Sequence, residues 1–332
     1  MARVLVTGGA GYVGSHTVLA LRDAGAEVTV LDNLSTGHAA AVPEGVRLIE
    51  GDCADASLLA AVFAAHRFDA VFHFAALSLV GESARRPLHY LAQNLATTAR
   101  LAEAAASAGC LRFVLSSTAA LFGEAADMPI TEEAPIAPSN AYGESKRMAE
   151  EALAWAERAH GLRYACLRYF NAAGADPELR SGEDHEPETH LIPLAIQAAL
   201  GDGPALTVFG ADYPTPDGTA VRDYVHVADL AAAHLTVLPL LEQRSVRFNL
   251  GTGRGHSVRE VVAAVERVCG RPVPHRIGPR RAGDPPALVA SPARLMAETG
   301  WRPRFPRLDD MVATALAWHR AHPQGFRGKA AA

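Results

Sequence analysis

The first half of the chain alternates between short apolar runs and longer amphipathic stretches. The apolar runs have the length and composition of buried strands, and they are Arg3–Thr7, Glu27–Asp32, Arg47–Glu50, Ala70–Phe74, Arg112–Ser116 and Tyr164–Tyr169. The stretches between them repeat apolar residues at helical spacing and predict helices over Ser15–Ala24, Ser57–His66, Ala96–Ala108 and Tyr142–His160. Strands and helices in this order predict an α/β fold with a Rossmann-type, doubly wound parallel sheet.

The second half of the chain is less regular. Residues 176–189 are polar and contain proline, and residues 210–218 are rich in glycine, proline and aspartate, so both segments predict loops. Strands are predicted over Leu206–Phe209 and Phe248–Leu250, and a helix over Ser257–Cys269. These elements predict a smaller C-terminal α/β domain that binds substrate.

The domain boundaries follow from this change of pattern. Residues 1–175, with a return segment at about 224–252, are expected to form the Rossmann domain, and residues 176–223 and 253–332 the substrate domain. A chain of 332 residues is long enough for one large domain and a smaller companion.

Composition and charge limit the kinds of molecule that the protein is expected to bind. Apolar residues make up 49% of the chain and charged residues 20%, as in ordinary globular proteins. The net charge of −5 argues against a surface that binds nucleic acid or an anionic membrane. Binding of an anionic substrate would therefore depend on local arginine side chains.

The cysteines predict a reduced protein. Cys53, Cys110, Cys166 and Cys269 are far apart and form no Cys-x-x-Cys pair, so we expect small core residues and no disulfide or zinc framework. A strand is predicted from residue 3, which leaves no room for a signal peptide, and no apolar run approaches the length of a membrane span. We therefore expect a cytoplasmic protein.

A glycine-rich segment lies between the first predicted strand and the first predicted helix. Its glycines, Gly8, Gly11 and Gly14, let the backbone turn tightly and approach a pyrophosphate at the positive end of the helix. Asp32 ends the second predicted strand, where a carboxylate accepts hydrogen bonds from the adenosine ribose and repels a 2′-phosphate. The sequence therefore predicts NAD as the cofactor. Asp52, after the third strand, is a weaker candidate for the adenine side and is equally consistent with a turn residue.

A tyrosine and a lysine share one face of a predicted helix. Tyr142 and Lys146 are four residues apart, which is about one helical turn. A free tyrosine titrates near pH 10, and a nearby lysine charge favours its phenolate. The preceding strand ends in Ser116-Ser117-Thr118. Together with a nicotinamide, this pair can take a proton and a hydride from one carbinol.

The segment from Glu183 to His190 superficially resembles a metal site. Its histidines, His185 and His190, are five residues apart with Pro187 between them, so the helical His-Glu-x-x-His arrangement is impossible. Because no complete ligand set is visible, the sequence predicts a solvated loop and no metal.

Motifs along nearly the whole chain resemble those of the extended short-chain dehydrogenase/reductase family, and within it the nucleotide-sugar 4-epimerases. They are Thr7–His16, His73–Ala76, Val80–Ser83, Ser116–Ala119, Tyr142–Lys146, Arg168–Asn171, Leu191–Pro193, Asp212–Thr219, Val221–Tyr224 and Arg280–Asp284. Among them, the stretch Asp212–Thr219 is the most specific to the 4-epimerases.

The resemblance implies two sets of binding residues. The cofactor set is Gly8, Gly11, Tyr12, Val13, Gly14, Asp32, Asn33, Asp52, Phe74, Ala75, Ala76, Asn94, Tyr142, Lys146 and Tyr169. The UDP-sugar set is Thr118, Asn171, His190, Leu191, Phe209, Arg222, Arg281 and Asp284. Arginine suits the two phosphates because its planar fork bonds them in pairs. A salt bridge with Asp223 is the alternative for Arg222.

The resemblance also implies a mechanism with Tyr142, Lys146 and Thr118 as catalytic residues. Tyr142 takes the 4′-hydroxyl proton while C4′ passes hydride to NAD, Thr118 hydrogen-bonds the same oxygen, and Lys146 lowers the tyrosine pKa. The 4-keto sugar then turns over and is reduced again, which interconverts UDP-galactose and UDP-glucose. Related 4,6-dehydratases have an Asp-Glu pair where Ala119 and Ala120 stand here, so dehydration is disfavoured.

Some alternatives stay open on the sequence alone. One is a 4-epimerase of a UDP-N-acetylhexosamine, UDP-pentose or UDP-uronate. For the N-acetylated sugars the question depends on Leu288, because relatives vary at this position, which limits the C2 substituent of the sugar. Another is a non-enzymatic NAD sensor. Relatives are usually homodimers, and the alanine faces of the helices predicted over Ala96–Ala108 and Tyr142–His160 either pack against a second copy or cover the sheet.

Overall fold

The structure, a computed structural model, describes residues 1–125, 127–281 and 283–328. Its strands are β1 (Arg3–Thr7), β2 (Glu27–Asp32), β3 (Arg47–Glu50), β4 (Ala70–His73), β5 (Arg112–Thr118), β6 (Arg163–Tyr169), β7 (Asn171–Ala173), β8 (Leu206–Phe209), β9 (Val221–His226), β10 (Val246–Leu250), β11 (Gly255–Ser257), β12 (His275–Gly278) and β13 (Ala287–Leu288). Its α-helices are α1 (Tyr12–Asp23), α2 (Ala56–Ala65), α3 (Val80–Arg85), α4 (Pro87–Ser107), α5 (Ala141–His160), α6 (Leu191–Leu200), α7 (Val227–Thr236), α8 (Val258–Cys269), α9 (Ala293–Thr299) and α10 (Leu308–Ala321). Short 3₁₀ turns cover Ala39–Ala41, Ala119–Leu121, Leu238–Glu242 and Gly325–Gly328.

The main sheet has seven parallel strands in the order β10-β6-β5-β4-β1-β2-β3. Successive residues of a strand point to opposite faces, and β1 shows both faces covered. Val4 and Val6 pack into one core cluster, with residues of α1 and α7, while Leu5 packs into the other, with residues of α2, α4 and α5. Strands that are buried on both faces have nearly continuous apolar sequences, so they could be predicted from the sequence. The predicted doubly wound fold is confirmed.

Smaller sheets and their helices form the second part of the molecule. Strand β9 pairs with β7, β11 and β13, and β8 pairs with β12. Helices α6, α8 and α10 bury their apolar faces in a separate core cluster. The predicted smaller C-terminal α/β part is therefore present.

The chain crosses between the two parts more than once. Strand β10 is the last strand of the main sheet, whereas β9 belongs to the smaller one. Leu295 and Trp301, far along the chain, pack in the same core cluster as β1. The domain boundaries expected at residues 175, 224 and 252 stay a prediction.

Several helices differ from the sequence prediction. Helix α4 begins at Pro87 and not at Ala96. Proline is well suited to the first position of a helix, because the N–H that it lacks would have no helical partner there. Helices α6, α7 and α10 were not predicted. All four cysteines are free and buried, as predicted. Among the helices that the structure describes, none is long and apolar enough to span a membrane.

Candidate active site

The glycine segment forms a tight loop from β1 into α1, where the strand order of the main sheet reverses between β1 and β4. Gly8 has φ of +72°, and a Cβ atom there would lie 2.4 Å from the amide nitrogen of Ala75. A Cβ atom at Gly14 would lie 2.1 Å from the carbonyl oxygen of Gly8. Gly11 is the N-cap of α1, and its carbonyl accepts the first helical hydrogen bond, 2.8 Å from the Ser15 nitrogen. The positive end of α1 thus faces the place where parallel α/β sheets bind ligands.

Asp32 ends β2 beside this loop. Its side chain is buried, with one carboxylate oxygen 2.9 Å from the Ala10 nitrogen and the other 2.9 Å from the Leu34 nitrogen. Each oxygen keeps a lone pair for a further donor. Asn33 and Asp52 each accept a hydrogen bond from the backbone N–H two residues further on, which is the arrangement of a turn residue.

The residues after β4 close the other side of the loop. The amide of Ala75 donates to the carbonyl of Thr7 over 3.2 Å, which sets Phe74, Ala75 and Ala76 against the glycines. The Phe74 ring lies 4.9 Å, and the Tyr169 ring 6.2 Å, from the imidazole of His234.

His234 is a residue that sequence reasoning missed. It is buried on α7, and burial lowers its pKa to about 4, so the imidazole is neutral. Its Nδ1 lies 2.8 Å from the Leu230 carbonyl. No motif of the sequence marks α7, and only the packing of that helix on the sheet brings His234 to the predicted cofactor residues.

Asn94, on α4, ties neighbouring elements together. Its amide nitrogen donates to the carbonyl of Leu77 (3.0 Å) and to the hydroxyl of Ser145 (2.9 Å), and its oxygen accepts from the Leu77 N–H (2.8 Å). The side chain thereby fixes α5 relative to the segment after β4. Its contact with a cofactor stays a prediction.

Tyr142 and Thr118 come together because α5 approaches β5 closely. Asn140 caps α5 by accepting a hydrogen bond from Gly143 over 2.9 Å. A Cβ atom at Gly143 would lie 2.3 Å from the carbonyl oxygen of Ala120, so only glycine allows this approach. As a result, the phenol of Tyr142 comes close to the hydroxyl of Thr118.

Burial is the largest influence on the pKa values of Tyr142 and Lys146. Burial raises the pKa of Tyr142, and the hydrogen bond with Thr118 partly opposes that rise. Lys146 is buried and donates from Nζ to the Ser116 carbonyl over 2.8 Å, and burial lowers its pKa to about 8. The lowering of the tyrosine pKa by Lys146 stays a prediction, and the bond to Ser116 leaves two ammonium donors of Lys146 free for it. The hydroxyl of Ser116 in turn lies 2.6 Å from that of Tyr169.

Two of the predicted UDP-sugar residues pair with each other. Arg222 on β9 donates from Nη2 to Asp284 over 2.5 Å. The alternative salt bridge with Asp223 is not formed, because that carboxylate accepts backbone N–H groups of Thr252, Gly253 and Ala290. The Arg281 guanidinium lies 4.1 Å above the ring of Phe209.

The remaining residues of the predicted UDP-sugar set lie at the starts of β7 and α6. Asn171 begins β7 two residues after Tyr169, and it pairs with Tyr224 of β9. His190 and Leu191 stand at the start of α6, with the His190 imidazole turned towards acidic side chains of the preceding segment. Strands β6, β7 and β9 thus connect the predicted catalytic group to the predicted UDP-sugar group.

Fold and site together define a dinucleotide-binding protein of the Rossmann class with a tyrosine, a threonine and a buried lysine at the carboxyl edge of its sheet. A sequence profile of the NAD dependent epimerase/dehydratase family matches residues 4–251. The chain belongs to this family, which confirms the resemblance inferred from the motifs.

Several relatives match the chain over nearly its whole length. It is 51% identical to the UDP-glucose 4-epimerase of Azospirillum brasilense, covering 97% of this chain and 93% of the relative. It is 49% identical to that of Halalkalibacterium halodurans, covering 97% of each. The crystal structure of UDP-glucose 4-epimerase from Bifidobacterium longum in complex with NAD⁺ and UDP is similar with a TM-score of 0.93 and 38% identity, covering 97% of this chain and 99% of that one.

Proposed function

We propose that the chain interconverts UDP-galactose and UDP-glucose with NAD, by oxidation at C4, rotation of the 4-keto sugar and re-reduction. One observation carries the proposal: the Tyr142 phenol lies close enough to the Thr118 hydroxyl for that hydroxyl to lower its pKa, at the same sheet edge as the glycine loop. The names of the relatives support the choice of substrate. Ala119 and Ala120 follow Thr118 and have no acid or base, which argues against dehydration.

The residues of the loop fit a dinucleotide. Gly8 and Gly14 have no room for a side chain, whereas a Cβ atom at Gly11 would meet only the Gly8 carbonyl oxygen, at 3.4 Å. A pyrophosphate can therefore approach the backbone at the start of α1. The free lone pairs of Asp32 suit ribose hydroxyls. Bound NAD supplies the acceptor, and later the donor, of the hydride.

Tyr142 moves the proton in this mechanism. Its phenolate takes the proton of the 4-hydroxyl on oxidation and returns it on reduction, and Thr118 hydrogen-bonds the same oxygen. Burial opposes the phenolate, so it needs positive charge nearby. Lys146 supplies that charge, and its bond to Ser116 uses only one of the three ammonium donors.

Arg222 and Arg281 bind the diphosphate in this proposal. Asp284 holds the Arg222 guanidinium, and the Phe209 ring lies beneath that of Arg281. A guanidinium held in this way loses less conformational entropy on binding phosphate. Asn171, which pairs with β9, contacts the sugar in this proposal.

The function is tested by incubating the purified protein with UDP-galactose, without added NAD, and following the sugar by proton NMR. Appearance of UDP-glucose is expected, because the cofactor need not leave during the reaction. UDP-N-acetylgalactosamine, a UDP-pentose and a UDP-uronate are run in parallel. Conversion of one of these alone would replace the proposed substrate pair. Thermal stabilisation by NAD with no turnover of any of them would instead favour a sensor.

Replacing Asp32 by serine is expected to reduce the preference for NADH over NADPH at least tenfold. The variant loses the carboxylate that accepts hydrogen bonds from the ribose of NADH and that repels the 2′-phosphate of NADPH. A hydrogen bond to a charged group contributes about 1.5–3 kcal/mol to binding. Dissociation constants are measured by the fluorescence of each nucleotide. Asp52→Ser is the matched control, and an equal effect in both variants would contradict the assignment of Asp32.

We also propose that the chain forms a homodimer through α4 and α5. Leu88 on α4 and Trp155 on α5 are 77% and 64% exposed, although large apolar side chains favour burial. Light scattering at micromolar concentration is expected to give twice the mass of the chain, and Trp155→Glu the mass of one chain. Ile277→Glu, at an exposed site outside these helices, is expected to stay dimeric. A single-chain mass for the unmodified protein would exclude the dimer.

A further inference from the structure

The segment between β7 and α6 brings four potential metal ligands to one point. The side chains of Glu183, His185, Glu188 and His190 each direct a donor atom inwards, and these atoms lie within 4.8 Å of one another. The segment is not simply solvated, as the sequence had suggested, because the Glu183 side chain is only 6% exposed. The sequence argument excluded only a pair of histidines on one helix. An irregular loop that folds back on itself can bring the same side chains together without a helix.

The four separations between imidazole and carboxylate donors lie on either side of the value expected around a tetrahedral ion. Nδ1 of His190 lies 2.9 Å from a carboxylate oxygen of Glu183 and 2.9 Å from one of Glu188. Nδ1 of His185 lies 3.4 Å and 3.5 Å from oxygens of the same two glutamates. Bonds of about 2.0–2.1 Å at tetrahedral angles place neighbouring donors roughly 3.3 Å apart. The four donors therefore need only small shifts to surround one small cation.

His185 shows why an ion explains the cluster better than ion pairs alone. Its Nδ1 is buried and has no hydrogen-bond partner among the residues that the structure describes, although it points between two carboxylates. A distance of 3.4 Å is long for a charge-assisted hydrogen bond, which is typically about 2.7–2.9 Å. The two imidazole rings are also only 4.9 Å apart, so an arrangement with both protonated would place like charges together. Neutral imidazoles whose lone pairs face a shared cation avoid both problems.

We propose that these four side chains bind one Zn²⁺ ion. Two imidazole nitrogens and two carboxylate oxygens form a complete tetrahedral donor set for zinc, and the two glutamates balance its charge. The ion joins the irregular segment to the first turn of α6, where His190 is the N-cap. The ring of Tyr12, at the start of α1, packs edge-on against His185 at 6.2 Å. The site is therefore structural, and it holds this segment against the helix that follows the glycine loop.

Elemental analysis tests the proposal directly. Protein without an affinity tag, purified without nickel resin, is analysed by inductively coupled plasma mass spectrometry, and about one zinc per chain is expected. Removal of zinc with a strong chelator is expected to lower Tm by several degrees, and ZnCl₂ to restore it. Less than about 0.1 zinc per chain, with no rise in Tm on adding ZnCl₂, would overturn the proposal. One equivalent of another metal in place of zinc would overturn the assignment of zinc.

Variants locate the ion. Glu183→Gln and His185→Ala are expected to reduce the zinc content at least tenfold. Glu186→Gln is the matched control, since Glu186 lies in the same segment with a 70% exposed side chain and pairs with Arg327 outside the cluster. Loss of zinc from the control, or its retention in both cluster variants, would place the ion elsewhere. If the cluster variants fail to fold, diffraction from crystals of the unmodified protein at the zinc absorption edge still locates the ion. The proposal requires the anomalous peak to lie among the four side chains.

Discussion

Replacing Tyr142 by phenylalanine is expected to lower kcat for UDP-galactose by about 10²–10⁴-fold, the usual contribution of a positioned acid–base group. The ring and its packing are retained, whereas the phenol oxygen that is proposed to exchange the proton, beside Thr118, is lost. The KM for UDP-galactose should change little, since this proton transfer stabilises the transition state and not the bound substrate. Initial rates at saturating substrate measure the effect.

The control for this variant is Tyr164→Phe. Tyr164 lies in β6 with its ring buried in the core, away from the predicted site, so its phenol oxygen can be removed without loss of turnover. Both variants must also bind NADH like the unmodified protein. A Tyr142→Phe protein that folds, binds NADH and keeps most of its turnover would rule out the proposed role.

Replacing Glu150 by glutamine is expected to reduce the free energy of unfolding by about 3–5 kcal/mol, the usual cost of removing one partner of a buried ion pair. Both oxygens of Glu150 accept hydrogen bonds from Arg168, over 3.0 Å and 2.7 Å, and one also accepts from the Ser117 hydroxyl over 2.6 Å. Each partner of the pair has a side chain only 3% exposed. The variant leaves the guanidinium buried without its full countercharge.

Urea unfolding at pH 7 measures this loss, and the next residue along α5 provides the control. Glu151 is exposed, so Glu151→Gln should change the free energy of unfolding by less than about 0.5 kcal/mol. Equal effects at the two positions would show that the buried pair does not stabilise the fold. The pair joins α5 to β5 and β6, the elements that carry Tyr142 and Thr118, so its loss should also disturb the site.

The parallel sheet and the glycine loop could be predicted because their signals are local. Strands such as β1 and β2 are buried on both faces, so their apolar runs are nearly continuous and their bounds agree with the structure. Helix α7 escaped prediction because its sequence is mostly alanine and leucine, without a strong periodic pattern. His234 was missed with it.

The predicted catalytic group was only partly visible in the sequence. Helical geometry places Tyr142 and Lys146 on one face whatever the rest of the fold does. Thr118 joins them only because Gly143 lets α5 approach the Ala120 carbonyl, a contact between distant segments. The ammonium of Lys146 is bound by Ser116 across the sheet, which no spacing in the sequence reveals.

The sequence by itself determined the class of fold, the turn that suits a pyrophosphate and the tyrosine–lysine spacing, because each depends on backbone geometry within a few residues. Tertiary structure decided which side chains meet. It paired Arg222 with Asp284 and not with its neighbour Asp223. It also gathered the four potential metal ligands of the segment before α6. Irregular loops have no period from which the direction of a side chain can be calculated, so packing alone sets these contacts.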